Sequence, residues 1–539
     1  VISQRPLFLS ILSGVLFGLS WPETGGMTCL IFLAFVPLLI LENILTAYSP
    51  HGAGRKLFLY SYLAFLIWNV ISTWWVKNAS VGGAVMAIVF NALFMALVFQ
   101  LYHVLRRKLP QWLGGALLAS LWMSFEYLHL RWDLTWPWLT LGNVFANRPW
   151  MVQWYEYSGV MGGDVWIFAV NIAVYMVWKR GVFNQPARIT QCKGLCVLLV
   201  TLLLLPLAIS SVISSTSGSL ITSSSAPQHI VVVQPNIDPY NEKFSSSYQE
   251  QLAKMIELAE TKIDSSTNCV VFPETALTEN LWENDLSKTY SIQALDYFRK
   301  RHPRLDIVIG ATSAYQYNAG EKLSSTARKF TGSEEYYDDY NTALMLTGKG
   351  DPQKYHKSKF VPGVERMPFP ALFRPLEKLA INMGGTSGSL CGQEERTVFV
   401  SQNNPMHIAP VICYESVFGE FVTDYIKKGA NVIFIITNDG WWGDTPGYHQ
   451  HLDYARLRAI ETRCCIARSA NTGTSCFIDP MGKVTQATSW WKPTAIAGLV
   501  SLQNRQTFYV QHGDYLARLA LALAALLVLY SLLKSRLRI

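Results

Sequence analysis

A chain of 539 residues is too long for one ordinary domain, and a composition that is 50% hydrophobic, only 15% charged and rich in tryptophan (18) is foreign to a wholly soluble enzyme. The formal charge of +8 does not indicate a nucleic-acid partner, because Lys and Arg sit between apolar runs and not along one face; here positive charge reports membrane topology. Nine cysteines without CxxC pairs or regular spacing exclude a zinc ribbon and a disulfide scaffold.

Apolar runs at 7–20, 28–46, 57–76, 81–105, 112–130, 163–178 and 195–214, with an eighth at 515–533, predict an α-helical membrane bundle of eight spans. Most approach the ~20 residues a helix needs to cross the hydrocarbon. The first run is short and begins near Arg5, but the runs that follow favour an anchoring span over a signal peptide. Arg5, Arg55 with Lys56, Arg106-Arg107-Lys108, and Lys179-Arg180 with Lys193 occupy alternate gaps, and Lys534, Arg536 and Arg538 follow the last run. The other gaps carry only Lys77, Arg131 and Arg148. Basic loops stay in the cytoplasm. Seven spans therefore put the amino terminus inside and everything from about 215 to 510 outside. Trp132–Trp138 then falls on the outer side and reads as an aromatic belt, and Glu126 and His129 read as solvated at the interface. Cys192 and Cys196 lie at a membrane edge.

Ser210–Ser225 is rich in Ser and Thr and uncharged, which suits a flexible exit from the seventh span. The expected boundaries are a membrane domain over 1–214, a linker over 215–227, a soluble domain over 228–510, and a last helix with a basic tail over 511–539. From His229 the pattern changes. His229–Asn236 is a β-branched run closed by Pro235, and Tyr248–Asp264 places Leu252, Met255, Ile256, Leu258 and Ile263 at helical spacing. Cys269–Pro273, a helix near Ile292–Arg299, and strands at Leu305–Gly310 and Thr342–Leu346 continue the alternation. His407–Cys413, a helix before Lys428, and Val432–Thr437 complete it. Strands apolar on both sides, alternating with amphipathic helices, indicate an α/β layered domain with both sheet faces covered.

Three stretches of that domain carry chemistry. Val271-Phe272-Pro273-Glu274-Thr275 puts a carboxylate just past a buried strand. Tyr355–Glu365 (YHKSKFVPGVE) puts Lys357 in a loop. His407–Ser416 (HIAPVICYES) ends a strand on Cys413, the rim position where α/β proteins place reactive groups. Singly these are a helix cap, a solvated lysine and a packed cysteine. Together they supply the nucleophile, base and fixed positive charge that thiol acyl transfer needs. On this reading a nearby lysine and a strand-to-helix turn favour the Cys413 thiolate.

The block Phe-Pro-Glu-Thr, Lys-x-x-x-Val-Pro-Gly-x-Glu and Cys-Tyr-Glu-Ser, in this order over roughly 228–508, resembles the nitrilase (carbon-nitrogen hydrolase) superfamily, and with its membrane spans the chain is similar to the apolipoprotein N-acyltransferase family. The resemblance implies an α-β-β-α sandwich with Glu274 as base, Lys357 as oxyanion-stabilising lysine and Cys413 as acylated nucleophile. It implies supporting roles for Glu365, Tyr414 and Glu415, matches Asn438-Asp439-Gly440-Trp441-Trp442 to an Asn-Asp-aromatic stretch, and makes the helix from about His449 to Arg463 its sequel. Phe244 stands about where the family has a Trp that contacts lipid, and 314–340 is longer than typical. The implied reaction passes an acyl chain from a phospholipid, chiefly phosphatidylethanolamine, through a Cys413 thioester to the α-amine of a diacylated lipoprotein's amino-terminal cysteine. The implied setting is a bacterial inner membrane with the catalytic domain in the periplasm, and the implied form is a monomer without cofactor.

A membrane-tethered amidase using the same triad with water as acceptor is the alternative, and a transporter or receptor whose soluble domain only binds is a third. Val361–Phe373 and Trp441-Trp442 are candidate lid segments. His449, His451 and Asp453 have a spacing that could touch a metal, but no further ligand accompanies them, so no metal is expected. The acidic run Glu334–Asp339 reads as solvated.

Overall fold

The computed structural model describes residues 5–48, 52–183, 189–220, 226–243, 245–348, 350–369 and 389–536. The chain divides into two compact units, Val1–Thr216 with His512–Ile539, and Ser217–Gln511.

In the first unit, six helices among the described residues are long and apolar enough to cross a bilayer: Thr28–Tyr48, Ala53–Asn78, Val81–Arg106, Val160–Arg180, Lys193–Thr216 and Tyr515–Lys534. The first and fifth apolar runs form the helices Arg5–Ser20 and Gly114–His129, each of 16 residues. At 1.5 Å per residue each rises about 24 Å, short of the ~30 Å of hydrocarbon. The bundle core is aromatic. Phe17 stacks on Trp68 at 4.4 Å and meets Phe35 edge-on at 4.8 Å, and Phe35 meets Trp122 at 5.0 Å. Gly14 permits this packing, since a Cβ there would lie 2.5 Å from the Ala64 carbonyl oxygen.

Several polar groups of this unit are buried and paired, not solvated. Glu126 accepts from Trp122 Nε1 at 2.8 Å and from the Leu141 N–H at 3.1 Å, and Asp164 accepts from the Gly142 N–H at 2.7 Å. These carboxyls hold the turns at 137–145, where backbone N–H groups have no helical partner. Trp138 is fully covered and packs on Trp75 at 5.0 Å, so it belongs to the core and not to a belt. Of the linker expected over 215–227, 221–225 lie outside the described residues, and residues 215–220 prolong the helix Ile189–Leu220. Its hydroxyls bond back into the helix, Ser214 to the Ser210 carbonyl at 2.9 Å and Thr216 to the Val212 carbonyl at 2.9 Å, so side chains that compete for the backbone elsewhere are satisfied here.

The second unit holds two sheets. The first orders β14-β1-β2-β4-β6-β5, with β3 beside β4 and β7 beside β6. Its strands are β1 (Gln228–Gln234), β2 (Thr267–Val271), β3 (Leu277–Trp282), β4 (Asp306–Gln316), β5 (Arg328–Lys329), β6 (Tyr336–Leu346), β7 (Gln353–His356) and β14 (Thr494–Val500). The second orders β13-β12-β11-β10-β9-β8, from β8 (Phe399–Val400), β9 (His407–Ile412), β10 (Val432–Thr437), β11 (Ile466–Ala470), β12 (Cys476–Ile478) and β13 (Val484–Thr485). β1, β2 and β4 run parallel, as do β9, β10 and β11. Every residue of β10 is buried, as a strand covered on both faces requires. Helices Tyr248–Glu260 and Tyr290–Arg301 cover the first sheet, seating Leu252, Met255, Leu295 and Phe298 against Val231, Val270 and Ile307. Helix Gly419–Lys427 packs on β9. The sheets are tied to each other where Ser469 Oγ donates to the Val233 carbonyl at 2.8 Å.

The long segment 314–340 is an extension of the β4–β6 hairpin, paired out to Gln316 and Tyr337. Its loop folds over Asp338, which accepts from Tyr317, Ser324 and Thr326 and is 1% exposed. The acidic run is therefore solvated only in part.

Candidate active site

Three strand ends and their turns build the site. β2 runs through Phe272 and Pro273 into Glu274, and Thr275 turns with φ 46°. Gly310 of β4 donates its N–H to the Pro273 carbonyl at 3.0 Å, and its own carbonyl accepts from the Ala276 N–H at 2.9 Å. A Cβ at Gly310 would lie 2.6 Å from Glu274 Cα, so only glycine allows this approach. β7 ends at His356, and the Lys357 N–H bonds the Asn341 carbonyl of β6 at 2.8 Å. β9 ends at Ile412, and Cys413 opens a single turn, Cys413–Val417, with φ 50°. A left-handed residue that is not glycine costs on the order of 1–3 kcal/mol and persists only where neighbours over-determine it.

Glu415 is one such neighbour. Its Oε2 accepts from the Ile412 N–H at 2.9 Å, and its Oε1 accepts from Tyr355 OH and the Ser358 N–H, both at 2.7 Å. It thereby staples the Cys413 turn to the loop that carries Lys357. Burial pushes its carboxyl above the usual range against those hydrogen bonds.

The charged groups converge. Lys357 Nζ donates to Glu274 Oε1 at 3.0 Å and to Glu365 Oε1 at 2.6 Å. Asn341 Nδ2 donates to Glu274 Oε1 at 2.8 Å, the Asn438 N–H to Glu274 Oε2 at 3.0 Å, and the Val361 N–H to Glu365 Oε2 at 2.8 Å. Lys357, Glu274 and Cys413 are 1%, 6% and 8% exposed, so the pair is buried and hydrogen-bonded throughout. Burial raises the Glu274 carboxyl, but Lys357, the Asn341 amide and Lys243 outweigh it and hold it below the usual value. Burial lowers the Lys357 ammonium, yet the Glu274 and then the Glu365 carboxylate hold it well above its ordinary value. The thiol goes the other way: burial and then the Glu274 charge push Cys413 far up, and Lys357 opposes them without prevailing. Cys413 is thus held as a thiol, not the thiolate expected from a neighbouring lysine alone, because burial and then the Glu274 charge outweigh that lysine. A thiol so held reacts as a nucleophile only where a base takes its proton.

Tyr414 is buried, its ring edge-on to Phe418 at 5.2 Å. Trp441 packs edge-on to Tyr240 at 5.0 Å, and Tyr240 OH donates to its carbonyl at 2.9 Å. Phe244 lies outside the described residues, as does 370–388, and with it the second part of the expected lid. The described part, Val361–Phe369, includes a tight turn in which the Gly363 N–H bonds the Arg366 carbonyl at 2.9 Å; this turn presents Glu365 to Lys357. Among the described residues no cluster of His, Cys, Asp and Glu is arranged to hold a metal. Asp453 is paired with Arg456 at 2.8 Å, and His451 is bound elsewhere.

Sequence reasoning missed Asn341 and Lys243, and read His451 only as a possible metal contact. Asn341 gave a usable signal, a polar residue inside the strand Thr342–Leu346 begins. Lys243 gave none: its Nζ donates to Thr275 Oγ1, and burial lowers it to about 8 while Glu274 draws it back up. It lines a cleft of about 210 Å³ together with Gln251, Glu274, Thr275 and Asn471.

The Carbon-nitrogen hydrolase family model matches residues 230–508, and the model for the Apolipoprotein N-acyltransferase N-terminal domain matches 13–173. The chain is 29% identical to the apolipoprotein N-acyltransferase of Chlorobaculum tepidum over 99% of this chain and 98% of that one. It is 26% identical to the enzyme of the same name from Geobacter metallireducens over 97% and 95%. Among solved structures, the Saccharomyces cerevisiae nitrilase-superfamily protein Nit3 is similar over 51% of this chain and 91% of its own, with 16% identity and a TM-score of 0.37. Its second unit and its helical first unit together place the chain in the carbon-nitrogen hydrolase family, among the membrane-bound apolipoprotein N-acyltransferases.

Proposed function

We propose that the chain is an N-acyltransferase that carries a fatty acyl group from a phospholipid to the amino-terminal cysteine of a lipoprotein. The observation that carries this is the buried Glu274–Lys357–Glu365 cluster beside a Cys413 held at φ 50°, in a chain whose other unit is built of membrane-length apolar helices. In the first half-reaction the Cys413 sulfur attacks the acyl ester carbon as Glu274 accepts the thiol proton. Lys357 Nζ and a backbone N–H at Tyr414 hold the oxyanion, an effect worth ~3 kcal/mol for one well-placed donor. The S–C bond forms, the ester C–O bond breaks, and Glu274 returns the proton to the departing glycerol oxygen, giving a lysophospholipid. In the second, the lipoprotein's α-amine attacks the thioester, the amide forms, and the sulfur leaves as a thiol with the amine's proton. Glu365 orients Lys357, and Glu415 holds the Cys413 turn.

The basic gaps support a bundle of eight spans, with the two 16-residue helices inserted beside the six longer ones and the catalytic unit in the periplasm of a bacterial inner membrane. The proposed working form is a monomer. The test supplies purified protein with labelled phosphatidylethanolamine and a diacylated lipopeptide bearing a free α-amine. Equal amounts of lysophospholipid and N-acylated peptide are expected. Free fatty acid with unmodified peptide would replace this reading with the membrane-tethered amidase.

A further inference from the structure

His451, on the helix Pro446–Thr462, is wholly buried, and its ring spans two turns of the site. Nδ1 lies 3.0 Å from Asp439 Oδ1. Asp439 also accepts from Thr437 Oγ1 at 2.7 Å and from Arg468 at 2.6 Å. Burial alone would raise this carboxyl, but Arg468 and His451 outweigh it and keep Asp439 ionised. On the far side of the ring, Nε2 lies 3.1 Å from the Cys413 carbonyl oxygen and 2.9 Å from Ser416 Oγ, whose hydroxyl is 2.8 Å from the same carbonyl. Trp442 packs edge-on to the ring at 5.5 Å.

The two ends of this bridge matter because of what they adjoin. The carbonyl belongs to the nucleophile itself, whose φ of 50° requires outside support. Asp439 follows Asn438, whose N–H donates to Glu274 Oε2 at 3.0 Å. One imidazole therefore connects the turn that aims the sulfur to the turn that fixes the base. The two turns leave neighbouring parallel strands, β9 and β10, and strand pairing alone leaves the conformation beyond the last paired residues, Ile412 and Ile436, undetermined.

We infer that His451 is a positioning residue for thioester formation: it locks the left-handed Cys413 turn to the Asn438–Asp439 turn and so sets the separation of nucleophile and base. The inference rests on the acyl-transfer reading above. A misplacement of 1 Å at reacting atoms costs on the order of a hundredfold in rate. A residue that only packs would change stability and leave the rate per folded molecule alone.

The experiment measures single-turnover thioester formation by the full-length protein in detergent, with labelled phosphatidylethanolamine and no acceptor, for wild type, His451→Phe, His451→Gln, Ser416→Ala and Cys413→Ala. His451→Phe is expected to slow the step by about a hundredfold while the donor concentration giving half-maximal rate stays within about twofold. The amide of His451→Gln can still bond the Ser416 hydroxyl and the Cys413 carbonyl but not Asp439, so this variant recovers part of the rate, to a value between His451→Phe and wild type. Should His451→Phe not fold, the inference stands if Ser416→Ala slows the step several-fold at unchanged half-saturation. A wild-type rate in the folded Phe variant, or in Ser416→Ala where the Phe variant is lost, overturns it. So does slowing that comes only from weaker donor binding. If wild type itself forms no Cys413 adduct, it is the acyl-transfer reading that has failed, and the inference falls with it.

Discussion

At the scale of single residues, the site is defined by one ammonium serving two carboxylates. Lys357→Met is expected to do two separable things. It removes an oxyanion donor, lowering the rate of thioester formation by ~3 kcal/mol, or over a hundredfold. It also leaves Glu274 and Glu365 facing each other without their shared cation, at a cost of ~3–5 kcal/mol of stability, read as a lower unfolding midpoint. Replacing Glu365 with Gln should spare most of the stability. The pH dependence follows from the directions of the shifts. Glu274 is held below its unfolded value, so its pairing stabilises fully above about 4.3 and is lost as pH falls through the lower folded value. Lys357 is held above its unfolded value, so its contribution is complete below about 10.4 and is lost as pH rises through the higher folded value. Because Cys413 is pushed up, its alkylation by iodoacetamide should still be rising at pH 9.5, whereas an ordinary thiol levels off soon after about 8.5. A plateau near neutrality would mean a resting thiolate and would remove the need for Glu274 as base.

The elements explain what could be read beforehand. β2, β9 and β10 were legible because each is a short apolar run closed by a polar or proline residue, and buried parallel strands have that composition whatever surrounds them. Glu274, Lys357 and Cys413 were legible because each falls in a short local motif. Lys243 gave no signal, and Asn341 and His451 gave only partial ones, because their contacts come from pairings 32, 67 and 38 residues away along the chain, which only the fold brings together. The Ser/Thr stretch after the seventh run stays helical as far as Leu220 for a local reason: the same hydroxyls that favour turns bond the preceding helical turn, in a span that is mostly exposed. Gly310 offers an element-scale test. Gly310→Ala puts a Cβ against the backbone of the Glu274 turn, so the turn or β4 must shift. We expect a stability loss of about 1–3 kcal/mol and a fall in thioester rate larger than that loss implies, since the base is what moves. Gly320→Ala, strained by its φ of +86° but with nothing within 4 Å of the added Cβ, is the matched control: it should also cost stability yet leave the rate per folded molecule unchanged.

At the scale of the molecule, the alternation of basic clusters is what the proposed side of the bilayer for the second unit rests on. Ser287, exposed in that unit, provides a reporter. In intact cells Ser287→Cys should gain labelling by a membrane-impermeant maleimide over the wild-type background, while Arg107→Cys should gain it only after permeabilisation. The reverse pattern would place the site in the cytoplasm and mean that a span has been miscounted. The composition signalled a membrane protein plainly, but the count of spans was less secure, because two of the eight runs fold into 16-residue helices.

The most direct measurement is the intact mass of the protein after incubation with a single phosphatidylethanolamine species and no acceptor. The account predicts a gain of one fatty acid less one water, reversed by hydroxylamine, located on Cys413 and absent from Cys413→Ala. An unchanged mass, or an adduct that persists in Cys413→Ala, would contradict it.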